Sequence, residues 1–164
     1  MMPTYLDAVA EAHTMAKMIL HRYVDDLKPE EFRHQPTPGA NNAGWIVGHL
    51  ARTARTACER LGVTELPAVP EGWADQYKPT KASATADQKY GDPKELVRLF
   101  DAHEDCLIAA LRKADEKKLA EPPPFQSPLF SNVGQMLHFL ALHISMHAGQ
   151  LSIIRRSLGR PPIT

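Results

Sequence analysis

The sequence predicts an all-α protein, a four-helix bundle, and three observations carry that prediction. Apolar residues recur at three- and four-residue steps in four separate segments, proline and glycine clusters interrupt the chain between them, and no stretch alternates apolar and polar residues long enough to make a sheet. Segments with one apolar stripe each must bury those stripes against one another, so an antiparallel bundle follows.

The first segment, Thr4 to Val24, places Leu6, Val9, Ala10, Ala16, Leu20 and Tyr23 on one helical face. Pro29, Pro36, Pro38 and Gly39 then break the helix, and Asn41 and Asn42 can cap the next one. That second helix, about Asn42 to Leu61, buries Ile46, Val47, Leu50, Ala54, Ala57 and Leu61. A long connection from Gly62 to Asp92 follows, with Pro67, Pro70, Gly72, Pro79 and Gly91 and a small polar run from Lys81 to Ala86. Connections of this length are either disordered or functional, and Trp73 and Tyr77 within it favour packing onto something. The third helix starts with Asp92 as N-cap and Pro93 at the first helical position and runs to about Ala114. Its buried face reads Leu96, Leu99, Phe100, His103, Leu107, Ala110 and Leu111. Pro122, Pro123, Pro124 and Pro128 forbid helix in the next connection. The fourth helix begins near Ser131, a good N-cap, and ends at Gly159 before Pro161 and Pro162.

A chain of 164 residues suits one domain spanning 1–164, which buries roughly two thirds of its unfolded surface. Lys plus Arg and Asp plus Glu balance at 19 each, so no net field draws in nucleic acid, anionic lipid or a strongly charged substrate. Cys58 and Cys106 have no paired spacing, which argues against a disulfide scaffold or a cysteine zinc site and for a reducing cytoplasm. Neither has an obvious base beside it, so neither is assigned a role. No signal-peptide pattern and no run approaching the ~20 apolar residues of a membrane span are present. The absence of a glycine-rich phosphate loop argues against a nucleotide cofactor.

The chemistry centres on histidine. His143 and His147 stand at i, i+4 on one helical face, roughly 6 Å apart, a separation that suits two imidazoles on one metal. Both fall within the stripe of Val133, Met136, Leu140, Ile144, Leu151 and Ile154 and should point into the bundle. There they need partners, because an unsatisfied buried polar group costs about 1–3 kcal/mol. A metal would satisfy both, and bonds to a serine or a carbonyl are the alternative that the spacing leaves open. A stable site needs a third ligand, for which His49, four residues after Trp45, is the candidate. His13 and His103 lie on apolar faces, either to line the same pocket or support a ligand, or as core histidines with ordinary hydrogen bonds; the second reading is favoured. Trp45 can wall the pocket, although a tryptophan on a bundle face is most often plain core, and Gln150 can orient a ligand or touch substrate, or else be a polar residue at the end of the apolar stripe. His138 is rotated about 140° from His143 and is excluded as a ligand. His21 and His34 read as surface or loop residues, and Arg155 and Arg156 as cations at a helix C-terminus in preference to binding an anionic substrate group.

Two segments resemble the DinB superfamily. Pro36-Thr37-Pro38-Gly39-Ala40-Asn41-Asn42-Ala43-Gly44-Trp45-Ile46-Val47-Gly48-His49-Leu50 is similar to that family's proline-rich turn leading into a helix with a tryptophan and a histidine. His143-xxx-His147-Ala148-Gly149-Gln150-Leu151, followed by Arg155 or Arg156, Leu158 and Gly159, is similar to its final helix. The resemblance implies an up-down-down-up bundle, often dimeric, in which His49, His143 and His147 bind one divalent ion, zinc or nickel first and iron as a further option. It further implies a small-molecule substrate and either a hydrolase or a transferase that uses a low-molecular-weight thiol. Three neutral histidines leave a coordination position open, which is the mark of catalytic rather than structural zinc sites. The alternative function is a non-catalytic protein that sequesters a metal or small ligand under stress.

Overall fold

The structure, a computed structural model, describes residues 4–79 and 91–163. Every described regular element is helical. Four long helices, α1 (Tyr5–Val24), α2 (Ala43–Arg60), α4 (Pro93–Leu111) and α6 (Val133–Ser157), correspond to the four predicted segments. Two single-turn helices, α3 (Trp73–Gln76) and α5 (Glu116–Leu119), and a 3₁₀ turn at Pro29–Arg33 lie in the connections. The polar run 81–86 falls outside the described residues.

Local chemistry explains most boundaries. Thr4 and Asp7 form a reciprocal capping box, with Asp7 N donating to Thr4 Oγ1 at 3.1 Å and Thr4 N to Asp7 Oδ2 at 2.9 Å. Asn42 accepts from Trp45 N at 2.9 Å, and Asp92 from Lys94 N at 2.9 Å. Two expectations are corrected. The N-cap of α6 is Asn132, not Ser131, because Asn132 Oδ1 accepts from Gln135 N while the Ser131 amide and hydroxyl donate back to Gln135 Oε1. The third helix stops at Leu111 rather than Ala114: i→i−3 bonds to Ala110 and Leu111 tighten its end, and Asp115 then caps α5.

α2 packs along α4 and α1 along α6, and contacts of α1 with α4 and of α2 with α6 close the ring. One apolar cluster gathers Leu20, Val24, Trp45, Leu50, Phe100 and Ile144; a second, with Leu6, Val9, Ala57, Leu107, Met136 and Leu137, continues the core. Each such large apolar side chain contributes about 1.5–3 kcal/mol on full burial. Residues Ala43 to Ala51 are buried without a break, because connecting segments cover the side of α2 that the helices leave open. Glu104 and Ile108 are also buried on α4, beyond the predicted stripe.

α6 is, among the described residues, the one helix long and apolar enough by length and composition to cross a membrane, contrary to the reading of the sequence. Here its apolar positions Leu137, Ile144, Leu151 and Ile154 are core contacts of the bundle. Arg155 is a second departure from expectation. It is buried, grips the Asp26 carboxylate with both terminal nitrogens and donates to Tyr23 O at 3.1 Å. Its hydrogen bond is the main reason the Asp26 carboxyl sits below its ordinary range. The end of α6 is closed instead by the backbone: Gly159, at φ 74°, lets Gly159 N reach Arg156 O and Arg160 N reach Arg155 O, both at 3.0 Å.

Candidate metal centre

α2 and α6 bring His49, His143 and His147 together, with one nitrogen from each lying within 4.8 Å of the others. The ring centroids are 5.2 Å apart for His49–His143, 5.3 Å for His49–His147 and 4.5 Å for His143–His147. His49 and His147 are buried and His143 is half-buried. Trp45 stacks on His49 at 4.6 Å and presents an edge-type contact to His147 at 6.3 Å. Phe139 stacks on His143 at 6.0 Å.

Hydrogen bonds fix which nitrogens are open. His49 Nδ1 is 3.0 Å from Tyr77 O, an atom that only accepts, so Nδ1 carries the proton and Nε2 keeps its lone pair. His147 Nδ1 likewise donates to Gln150 Oε1 at 2.9 Å, which leaves its Nε2 open. Gln150 Oε1 also accepts from Asn41 Nδ2 at 3.4 Å, so the loop before α2 touches the same support. His147 Nε2 and His143 Nε2 stand 3.1 Å apart, near the roughly 3.3 Å between tetrahedral ligands with zinc–nitrogen bonds of 2.0–2.1 Å. His143 Nδ1 is buried without a hydrogen-bond partner.

Electrostatics favours the neutral rings that ligate metals. Burial, followed by the neighbouring histidines, pushes His143 down to about 3. Burial pushes His147 down to about 4, against the opposing bond to Gln150. His49 is lowered by burial, partly offset by its bond to Tyr77 O. Three neutral imidazoles with lone pairs in one small volume fit a borderline-soft divalent ion such as zinc, nickel or iron.

The other singled-out residues lie elsewhere. His13 is fully buried, with Nδ1 2.5 Å from Glu104 Oε1 and Nε2 3.0 Å from Leu137 O. Both partners can accept from the ring, which favours its charged form. Burial opposes that charge, but the hydrogen bond and charge of Glu104 outweigh it and raise the pKa. His103 donates from Nδ1 to Leu99 O at 2.8 Å, and its Nε2 lies 3.3 Å from Arg55 Nη1. His138 stacks on Tyr5, His21 bridges Asp25 and Asp101, and His34 meets Ser157 Oγ. Cys58 and Cys106 are free, and burial pushes the Cys58 thiol up, away from nucleophilic use. What the sequence reading missed is the supporting layer of Tyr77, Asn41 and Phe139. Only the aromatics of the long connection gave a signal for it.

A cavity of about 430 Å³, lined by Thr37, Gly39, Ala40, Asn41, Gln150 and others, shares Gln150 with the histidine cluster.

Comparison with known proteins agrees with this architecture. A family model described as the DinB superfamily matches residues 12–151. Among solved structures the chain is similar to YfiT from Bacillus subtilis, with a TM-score of 0.68, 15% identity, and coverage of 95% of this chain and 89% of that one. That protein is described as a probable metal-dependent hydrolase with an unusual four-helix bundle topology, and the likeness shows the shared fold. No curated protein matches.

Proposed function

The chain belongs to the DinB superfamily, and from that premise we propose that it holds one divalent ion on His49, His143 and His147 and acts on a small molecule as a hydrolase or a thiol-dependent transferase. The observation that carries this reading is the supported tautomer pattern: two of the three rings spend Nδ1–H on fixed oxygen acceptors and keep Nε2 free, in one buried volume. Metal-ligating histidines are commonly oriented in this way by a carbonyl or amide behind them. Burial holds all three rings toward the neutral form that ligates metals.

When bound, the ion supplies Lewis acidity, either for hydrolysis or for activating a low-molecular-weight thiol, at the position three histidines leave open. The protein's own groups do the rest. Tyr77 O and Gln150 Oε1 hold the ligand rings in register. Trp45 and Phe139 keep water from the flanks of the cluster. The cavity beside Gln150 and Asn41 has the size of small-ligand pockets and is the substrate approach on this reading. Zinc and nickel are the first candidates for the ion, with iron third.

The remainder of the proposal concerns context. Residues 1–164 act as one domain, since both core clusters draw on several of the long helices. Exposed Met15, Met18 and Ile19 on α1 and Leu142, Met146 and Ile153 on α6 offer a face for a second copy of the chain. Free Cys58 and Cys106 fit a reducing cytoplasm, and the balanced charge fits a chain that binds neither nucleic acid nor membrane.

Elemental analysis of untagged protein tests the core of this proposal, together with turnover of ester, amide and thiol-conjugate substrates with and without chelator. One equivalent of metal and chelator-sensitive turnover are expected. Metal without turnover would turn the reading to a binding protein, and failure to take up zinc, nickel or iron would end it.

A further inference from the structure

The connection between α2 and α4 is fastened to the bundle at three described points, and the last fastening is a candidate metal ligand. Arg55 Nη1 donates to Pro67 O at 2.8 Å. Farther along, Trp73 is 5% exposed and stacks on His103 with ring centroids 5.9 Å apart and planes 8° from parallel. Arg55 reaches the same His103, so both fastenings share one anchor. Tyr77 packs on Trp73 at 5.1 Å and is 1% exposed, and its carbonyl receives the His49 Nδ1 proton at 3.0 Å.

Gly48 completes the arrangement. A Cβ at this position would lie 2.1 Å from Tyr77 Cε1, 2.4 Å from Cδ1 and 2.5 Å from Cζ, so the Tyr77 ring occupies the space that any other residue would need. Helix propensity alone favours alanine over glycine here, since position 48 is interior to α2. The glycine is explained by what it admits. Two consecutive residues of α2 therefore grip one residue of the connection: Gly48 takes its ring and His49 its carbonyl.

We propose that the segment Trp73–Tyr77 is a strap that positions His49, with Tyr77 as the positioning residue and Gly48 as its seat; as a statement about metal affinity this rests on the three-histidine reading above. The strap determines which nitrogen of His49 is available. A carbonyl cannot donate, so while Tyr77 is seated the proton stays on Nδ1 and Nε2 is the ligand atom. Release of the strap frees the ring to change tautomer and to rotate. Strap docking and metal binding are then linked, each strengthening the other by the same factor.

The test compares parent, Gly48→Ala, Trp73→Ala and Tyr77→Phe proteins, first without metal and then titrated with zinc. Nitrogen-15 histidine NMR of the metal-free proteins at pH 8 reads the His49 tautomer, a signature that general loosening elsewhere in the fold does not set. The parent and Tyr77→Phe, which keeps ring and carbonyl, are expected to show His49 protonated at Nδ1. Gly48→Ala is expected to show a mixed tautomer at His49 with His147 unchanged, and zinc affinity about 10–100-fold weaker. Trp73→Ala should move both readouts in the same direction by a smaller factor, and it decides the matter if Gly48→Ala does not fold. A folded Gly48→Ala, or in its absence Trp73→Ala, with parental tautomer and parental zinc affinity overturns the strap. A tautomer change in a series that never binds zinc, nickel or iron would instead uphold the strap's grip on His49 and overturn the metal reading.

Discussion

His143 Nε2 and His147 Nε2 stand 3.1 Å apart, while the far nitrogen of His147 is tied to Gln150 Oε1. Two nitrogens at that distance are held by the proton that a neutral His143 carries on Nε2 and donates to His147, or by a cation that takes its place, and burial keeps both rings from taking up a further proton. Single substitutions His49→Ala, His143→Ala and His147→Ala should each reduce bound metal from about one equivalent to little while leaving the helical fold. In the parent, zinc at a hundredfold excess over its Kd adds about 2.7 kcal/mol, and each kcal/mol raises the melting temperature by roughly 2–4 °C for a chain this size. Melts with and without chelator check the shift, which each variant should lack.

Gln150→Ala removes the acceptor behind His147 without touching a ligand atom. Metal affinity should fall about tenfold or more, the range for an outer partner of a ligating histidine. Competition titration with a chromogenic chelator measures it. Unchanged affinity would mean that Gln150 is only a polar residue at the helix surface.

Stability without metal should fall on both sides of neutrality, for opposite reasons. His49, His143 and His147 have folded pKa values below the ordinary 6.5, so the unfolded chain takes up protons first as pH drops. Their contribution is present above 6.5 and is lost as pH falls toward 4 and 3. His13 is raised, so its contribution is full below 6.5 and is lost as pH climbs through the raised value; His21, also raised, acts in the same sense. Melts from pH 4 to 9 should show a maximum near neutral pH. His143→Ala should flatten the acid limb and His13→Leu the alkaline one.

The buried His13–Glu104 pair should be costly to break and cheap to remove whole. Glu104→Ala strands a charged or desolvated imidazole and is expected to cost about 3–5 kcal/mol. The double variant His13→Leu with Glu104→Leu should recover more than half of that loss, as urea denaturation can show. If the two single losses simply add, the pair is not coupled.

Homodimerisation through α1 and α6 predicts that Met18→Glu with Met146→Glu converts a dimer to a monomer with little change in the melting temperature of the fold. Light scattering on eluted protein at micromolar concentration reads the mass directly. A monomeric parent removes this part of the proposal.

Much of the fold was legible because its determinants are local. A three- and four-residue apolar period and a Thr, Asn or Asp before it set where α1, α2 and α4 begin, through contacts spanning one helical turn. The slip from Ser131 to Asn132 is a choice between adjacent polar side chains, decided by which side-chain oxygen accepts from the Gln135 amide. Arg155 was misplaced because its partner Asp26 lies in the connection after α1, and nothing in the last turn of α6 announces it.

The candidate site divides in the same way. The sequence by itself determined that His143 and His147 share a helical face, since a four-residue step is fixed by helix geometry, and it offered His49 as the third member. Only the tertiary structure decided that the three rings meet, that His13 instead pairs with the buried Glu104, and that the His49 proton rests on Tyr77 O. The physical reason is that spacing along one helix encodes contacts one turn away, whereas contacts between helices depend on how whole stripes pack. A backbone carbonyl such as that of Tyr77 is common to every residue type, so its role at His49 has no signature in the residue that supplies it.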